Sequence, residues 1–147
     1  MLTLLAALVF APVPADTLLR TQSSLGVAQT VVRLRTAAES RGLTIFAVVD
    51  HAANARAVDL PLAASTLVLL GNPRAGTLLM QCDPSVAADL PLRMLVWEDA
   101  EGRTWVGHHD ARALATRYDL AACQETVDRI VGVLEALRRE AAGAGGE

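Results

Sequence analysis

Apolar and polar residues recur along this chain with two different periods. Five runs have the alternation or the continuous apolar character that is typical of strands: residues 16–22, 43–50, 65–70, 92–99 and 103–110. Residues 24–42 and 121–139 instead repeat apolar side chains every three or four positions, which predicts two amphipathic helices. A short helix or turn is expected at residues 51–60, and another helix begins after Asn72.

The resulting order, βαββββα, predicts a fold of the α+β class. We expect a mostly antiparallel, curved sheet of five strands with the two long helices on one face. The last two strands are joined by Asp99-Ala100-Glu101-Gly102, whose glycine suits a type I turn with a bulge. At 147 residues the chain is long enough for one domain. We assign that domain to residues 16–140 and a flexible tail to residues 141–147.

The first fifteen residues have the character of a signal peptide. Residues 2–10 are apolar, and Val13 and Ala15 are small residues at the offsets that cleavage before Asp16 requires. No lysine or arginine precedes the apolar run, which departs from the usual pattern. The run is too short to span a bilayer, so we expect no transmembrane segment in the mature chain. The protein is therefore predicted to be periplasmic or secreted.

Composition narrows the class of partner. Hydrophobic residues make up 52% of the chain and charged residues 20%, which favours a packed globule over a disordered chain. The formal net charge is −3, and the arginines are scattered along the sequence. A nucleic-acid surface would need a basic face or stripe, so nucleic-acid binding is not expected.

The chain has two cysteines, Cys82 and Cys123. An exported protein can form a disulfide between such a pair. However, Cys123 continues the apolar stripe of the last helix, in which a cysteine behaves as a small buried hydrophobic residue. The other members of that stripe are Val127, Ile130, Leu134 and Leu137. The pattern therefore favours two buried thiols, with a disulfide as the alternative.

The stretch "GNPRAGT", residues 71–77, resembles a phosphate-binding loop, because it has the spacing Gly-x-x-x-x-Gly-Thr directly after an apolar strand. A phosphate-binding loop needs a lysine after its second glycine, but Thr77 stands there. Asn72 is a preferred N-cap and Pro73 suits the first helical position, so the stretch is better explained as a helix start. A small anion beside Arg74 at this helix N-terminus remains a weaker alternative.

Four segments resemble a bacterial family catalogued as domain of unknown function 302. They are "VDHAANA" at residues 49–55, "LLGNPRAGTLLMQ" at 69–81, "DLPLRMLVWEDAEGRTWV" at 89–106 and "LATRYDL" at 114–120. The resemblance implies a curved antiparallel sheet with helices on one side, in agreement with the order of elements. It implies no activity, because the biochemical role of that family is not established. This sequence has Arg93 where lysine is common, and "GHHD" where an aromatic residue often precedes the aspartate.

The leading hypothesis is an exported binding or accessory domain with no enzymatic activity. Such a domain would hold a small apolar ligand or an anion in a pocket, or would form a homodimer through the same apolar surface. The candidate ligand-binding residues are Asp50, His51, Asn72, Met80, Asp89 and Arg93. Surface ion pairs and turn caps are the competing explanation for Asp89, Arg93, Glu98 and Asp99.

Two other functions stay open. An enzyme of unknown reaction could use His51 as a base, Asp50 or Asp89 to orient it and Cys82 as a nucleophile. A soft-metal protein for copper, zinc or haem iron could draw on His51, Asp50, Met80 and Cys82, joined by at most one of His108 and His109. No motif has the spacing of metal ligands, so we assign no metal site. His108 and His109 are neighbours on a strand and must point to opposite faces.

Trp97 and Trp105 lie on the two strands of the predicted hairpin. We expect them to pack as cross-strand partners on the core face of the sheet. The alternative is that they line a ligand cleft between the sheet and the helices.

Overall fold

A computed structural model describes residues 18–143 of the chain. The predicted signal peptide and residues 144–147 of the predicted tail lie outside that range. The five strands are Leu18–Gln22 (β1), Thr44–Asp50 (β2), Ser65–Gly71 (β3), Leu92–Glu98 (β4) and Thr104–His109 (β5). The helices are Val27–Ser40 (α1), His51–Arg56 (α2), Pro73–Cys82 (α3), Arg112–Arg117 (α4) and Gln124–Ala142 (α5). Short 3₁₀ turns at Pro84–Asp89 and Ala121–Cys123 precede β4 and α5.

The strands form one open sheet in the order β1-β5-β4-β3-β2, and every neighbouring pair is antiparallel. The predicted α+β class and order of elements are therefore confirmed. The predicted turn between β4 and β5 has Gly102 at a φ of 76°, a left-handed conformation that glycine adopts without strain. The edge strand β2 has an irregular register between Ile45 and Ala47, and such a bulge bends a strand locally.

The core lies between one face of the sheet and the helices α1 and α5. The sheet contributes Val68, Leu70, Met94, Val96 and Val106, each 0% exposed. The helices contribute their predicted stripes, in which Leu34, Ala38, Val127, Leu134 and Leu137 are buried. Each fully buried valine, leucine or methionine side chain contributes roughly 1.5–3 kcal/mol. No helix within residues 18–143 is long and apolar enough to cross a membrane.

The tryptophan pair is on the opposite face of the sheet, so the prediction of core packing is wrong. Trp97 and Trp105 are direct cross-strand partners, as expected. Their neighbours Val96 and Val106 point into the core, so the tryptophans point away from it and cannot line a cleft beneath the helices. The guanidinium of Arg20 lies 4.5 Å from the Trp105 ring, which places a cation over its face.

Cys82 and Cys123 form a disulfide, so the preference for two buried thiols is also wrong. Their Cα atoms are 6.4 Å apart, within the range that a disulfide spans. The helical stripe does not reach Cys123, because α5 begins only at Gln124 and Ala121–Cys123 is a 3₁₀ turn. Cys123 is therefore turned towards the C-terminal end of α3, where Cys82 lies.

Candidate functional site

A pocket of about 500 Å³ opens between α3, the first half of α5 and the adjacent ends of β2, β3 and β4. Its volume falls in the range of sites for small molecules. Leu70 forms part of its floor, and the ring of Phe46, which is 52% exposed, stands at its mouth. The other large apolar side chains of the lining are Leu43, Leu78, Met80, Leu90, Leu92, Ile130 and Val133.

Asn72 and Pro73 set one wall of this pocket. The chain leaves β3 at Gly71, and the side-chain oxygen of Asn72 accepts hydrogen bonds from the backbone N–H groups of Arg74 (2.9 Å) and Ala75 (3.3 Å). The predicted N-cap is thus present, with proline in the first turn. The helix α3 starts directly at the strand end, and it lines the pocket together with residues of α5. Its lining residues are Pro73, Arg74, Ala75, Gly76, Leu78 and Met80.

The charged groups of the pocket are all arginines: Arg41, Arg74 and Arg129. Arg41 pairs with Glu140 at 2.6 Å, and Arg129 pairs with Glu125 one turn earlier in α5. Neither glutamate is part of the lining. Arg74 is exposed, and its guanidinium group forms no ion pair or hydrogen bond with any residue of the described range. The pocket therefore combines an apolar wall with a cationic rim.

The six predicted ligand-binding residues fall in three separate places. Asn72 and Met80 line the pocket between α3 and α5. Asp89 and Arg93 line a second, more polar pocket of about 250 Å³. Asp50 and His51 lie at the junction of β2 and α2 and line neither of these two pockets. The three pairs therefore do not form one site.

Asp89 is the centre of a small polar network in the second pocket. Its carboxylate accepts a hydrogen bond from the Tyr118 hydroxyl at 2.9 Å and lies 3.3 Å from Arg117 and 3.4 Å from Arg93. The hydrogen bond to Asp89 raises the pKa of Tyr118, as do burial and the negative charge of that carboxylate. The ion pair between Asp89 and Arg93 agrees with the explanation by surface pairs.

Asp50 and His51 do not meet Cys82 in a catalytic arrangement. The Asp50 carboxylate caps α2 by accepting a hydrogen bond from the backbone N–H of Ala53 at 2.8 Å. Cys82 is held in the disulfide, and a disulfide sulfur is neither a thiolate nucleophile nor a thiolate metal ligand. No group of three or more His, Cys, Asp and Glu side chains that could hold a metal ion occurs between residues 18 and 143.

Comparison with known proteins decides the family. The family model described as "Domain of unknown function DUF302" matches residues 19–137, which is most of the chain. The chain belongs to the DUF302 family. The crystal structure of an uncharacterized conserved DUF302 protein from Bacillus stearothermophilus superposes with a TM-score of 0.76 at 17% identity, covering 84% of this chain and 97% of that one. At that identity the superposition shows a shared fold.

Curated relatives of this DUF302 chain include proteins named fluoride-specific ion channels. FluC 1 of Brucella suis biovar 1 (strain 1330) is 40% identical over 103 residues, which are 70% of this chain and 41% of the relative. FluC 2 of Brucella melitensis biotype 1 (strain ATCC 23456) has the same identity over 38% of its length. The DUF302 chain therefore spans about two fifths of the length of these relatives.

His108 is a buried polar group that the sequence did not single out as a site residue. The DUF302 sheet places it on the core face of β5, 2% exposed, while His109 points outward and is exposed, as the alternation predicts. Its Nδ1 lies 2.9 Å from the backbone carbonyl of His109, and its Nε2 has no hydrogen-bond partner among residues 18–143. The only signal in the sequence is its position two residues after Val106 on the same strand, since Val106 also points into the core.

Burial lowers the pKa of His108 below its ordinary value of 6.5. The hydrogen bond to the His109 carbonyl opposes this shift, the positive charge of Arg138 adds to it, and Asp110 and Glu135 oppose it. The unfolded chain therefore binds more protons than the folded domain between pH 6.5 and the lowered pKa. In that window, stability rises with pH and falls as the solution is acidified.

We expect this DUF302 domain to lose stability below about pH 6.5, by at most about 1.4 kcal/mol per pH unit from His108. His108→Gln should make the dependence of the free energy of unfolding on pH shallower, because the titrating ring is gone. His51→Gln is the control and should keep the wild-type slope, because His108 remains buried. Urea titrations from pH 7.5 to pH 5 measure both slopes. Identical slopes in wild type and His108→Gln would contradict the assignment.

Proposed function

We propose that this DUF302 chain is an exported, non-enzymatic binding or accessory domain that holds a small, largely apolar ligand between α3 and α5. The observation that carries the proposal is the pocket of about 500 Å³, whose wall consists of leucine, isoleucine, valine, methionine and phenylalanine side chains. An apolar concavity of this size exposes hydrophobic surface to water, and a ligand that covers it gains free energy.

The size of this gain is enough for a specific complex. Each CH₂ group transferred from water to the apolar wall contributes about 0.8 kcal/mol. Ten such groups contribute roughly 8 kcal/mol, which alone would correspond to a dissociation constant of about 1 μM. The ligand also loses freedom of motion when it binds, so the net affinity is weaker than this value. We therefore expect affinities in the upper micromolar range unless polar contacts contribute further.

Two features support export. The disulfide between Cys82 and Cys123 is of the kind that forms and persists in oxidising compartments. The apolar residues 2–10 and the small residues before Asp16 have the character of a cleaved signal peptide.

The test is to express the full sequence in a Gram-negative host and release the periplasmic fraction by osmotic shock. Mass spectrometry under denaturing conditions should give a chain that begins at Asp16, and native mass spectrometry should detect a bound small molecule. The neutral fluorophore 1-aminoanthracene should bind the purified protein and gain fluorescence. A protein that carries no ligand and does not bind the fluorophore would overturn the proposal.

Two matched substitutions locate the binding. Val133→Phe fills the pocket from α5 and should lower the affinity for 1-aminoanthracene about tenfold, which corresponds to 1.4 kcal/mol. Val32→Phe makes the same change on α1, where Val32 is 62% exposed, and should leave the affinity unchanged. Equal affinities in both variants would place the fluorophore elsewhere.

A second candidate role is that of an accessory domain that works beside a membrane channel. It rests on the proteins named fluoride-specific ion channels in Brucella, in which a region similar to this chain lies within a longer protein. If this chain serves a channel of that kind, deletion of its gene should lower the fluoride tolerance of the bacterium, and the wild-type gene should restore it. Unchanged tolerance would contradict this role.

A further inference from the structure

The rim of the pocket has one sign of charge. Arg41 follows the end of α1, Arg74 lies in the first turn of α3 and Arg129 lies on α5, so three arginines from separate parts of the chain line the same pocket. Within the part of the chain that the structure describes, the lining includes no Asp, Glu, Lys or His. Charges of one sign around an apolar concavity raise the local concentration of ligands of the opposite sign.

Arg74 is the arginine best placed to hold a ligand. Its guanidinium group forms no ion pair or hydrogen bond within residues 18–143, whereas the guanidinium groups of Arg41 and Arg129 have glutamate partners. The Arg129–Glu125 pair is largely exposed to solvent and contributes little to stability, so the Arg129 guanidinium can also turn towards a bound anion. The Arg41 side chain is only 34% exposed and also donates a hydrogen bond to the Ala37 carbonyl at 3.0 Å, so it is held more firmly.

The backbone at the start of α3 is not the anchor. The N–H groups of Arg74 and Ala75 already donate to the side chain of Asn72, and the N–H of Gly76 donates to its carbonyl at 3.0 Å. The first-turn donors are therefore occupied, and an anion would have to displace the cap to reach them. The guanidinium side chains carry the recognition instead, through charge-assisted hydrogen bonds.

We infer that the pocket binds an amphipathic anion, whose apolar chain or ring lies against the wall and whose carboxylate or phosphate group is held at the rim by Arg74. This inference rests on the proposed binding function and adds the chemical class of the ligand. The oxyanion is common to free fatty carboxylates and to the phosphate head groups of single-chain lipids, and the guanidinium can bind either through two parallel hydrogen bonds.

The experiment compares three probes with the same ten-carbon chain: decanoate, decyl phosphate and the neutral decanol. Each displaces 1-aminoanthracene from the oxidised, full-length protein. We expect both anions to displace the fluorophore at concentrations at least tenfold lower than decanol, because a hydrogen bond to a charged group adds to the binding of the chain. The stronger of the two anions identifies the carboxylate or the phosphate as the natural head group.

Arg74→Gln should lower the affinity for decanoate roughly tenfold or more and leave the affinity for decanol unchanged. Arg56→Gln is the matched control, because Arg56 is an exposed arginine on α2 that does not line the pocket. Added salt should weaken decanoate binding in wild type more than in Arg74→Gln. These readouts separate the charge at the rim from the apolar wall.

Two results would overturn the inference in distinguishable ways. If decanol binds as tightly as the anions and Arg74→Gln changes nothing, the pocket binds apolar ligands without regard to charge, and the proposed function survives alone. If neither the fluorophore nor any of the three probes binds, the proposed function itself fails.

Discussion

Removal of the disulfide between Cys82 and Cys123 should lower the free energy of unfolding by about 4 kcal/mol. The two cysteines are 41 residues apart in sequence, and the bond excludes from the unfolded chain all conformations in which the ends of that loop are separated. Since a domain of this size has a total stability of about 5–15 kcal/mol, the loss would be a large fraction of it.

The measurement is urea denaturation of the wild type and of the double variant Cys82→Ala/Cys123→Ala. Wild-type protein treated with a reductant should lose a similar amount of stability, while the reductant should have no effect on the double variant. A double variant as stable as the oxidised wild type would show that the bond does not constrain the unfolded chain as we expect.

The same bond also links the two walls of the pocket. Cys82 ends α3, and Cys123 precedes α5, and both helices line the cavity. Reduction should therefore weaken 1-aminoanthracene binding even at urea-free conditions where the domain stays folded. The disulfide does not line the pocket, but it would then support the proposed binding site as well as the fold.

Leu34→Ala should destabilise the domain by about 3 kcal/mol, within the range of 2–5 kcal/mol for leucine truncation in a core. Leu34 is 0% exposed on the face of α1 that packs on the sheet. The substitution removes buried apolar surface and leaves a cavity, because the surrounding sheet and helix can close around it only in part.

Val32→Ala is the matched control on the same helix. Val32 is 62% exposed, so its truncation should change the free energy of unfolding by less than about 0.5 kcal/mol. Thermal or urea denaturation of the two variants compares them directly. Similar losses in both would mean that α1 does not pack on the sheet through its predicted face.

Local sequence patterns correctly predicted those features that depend only on residues close together in the sequence. The apolar stripe through Leu34 and Ala38 identified the buried face of α1, because a helix repeats its facing positions every three or four residues. Asn72 and Pro73 identified the start of α3, because an N-cap and a first-turn proline act within a few residues. Alternation placed His108 and His109 on opposite faces of β5.

Local sequence patterns could predict only part of the candidate site. Asn72 and Met80 are in the pocket, but Asp89, Arg93, Asp50 and His51 lie elsewhere. Arg41, Arg74 and Arg129 come from three elements far apart in the sequence, so no spacing marks them as neighbours. Their convergence follows from the docking of α1, α3 and α5 around one end of the sheet.

The sequence by itself determined the order of the elements and the faces of the long helices, since each depends on periodicity and turn chemistry within one segment. It also indicated the family, through the resemblance of four segments between residues 49 and 120. Tertiary structure alone decided which face of the sheet is the core. Strand β4 is apolar on both sides, with Met94 and Val96 on one and Leu95 and Trp97 on the other, so alternation could not assign Trp97 and Trp105. It also decided the pairing of Cys82 with Cys123, because a disulfide depends on the distance between two elements, which no local pattern records.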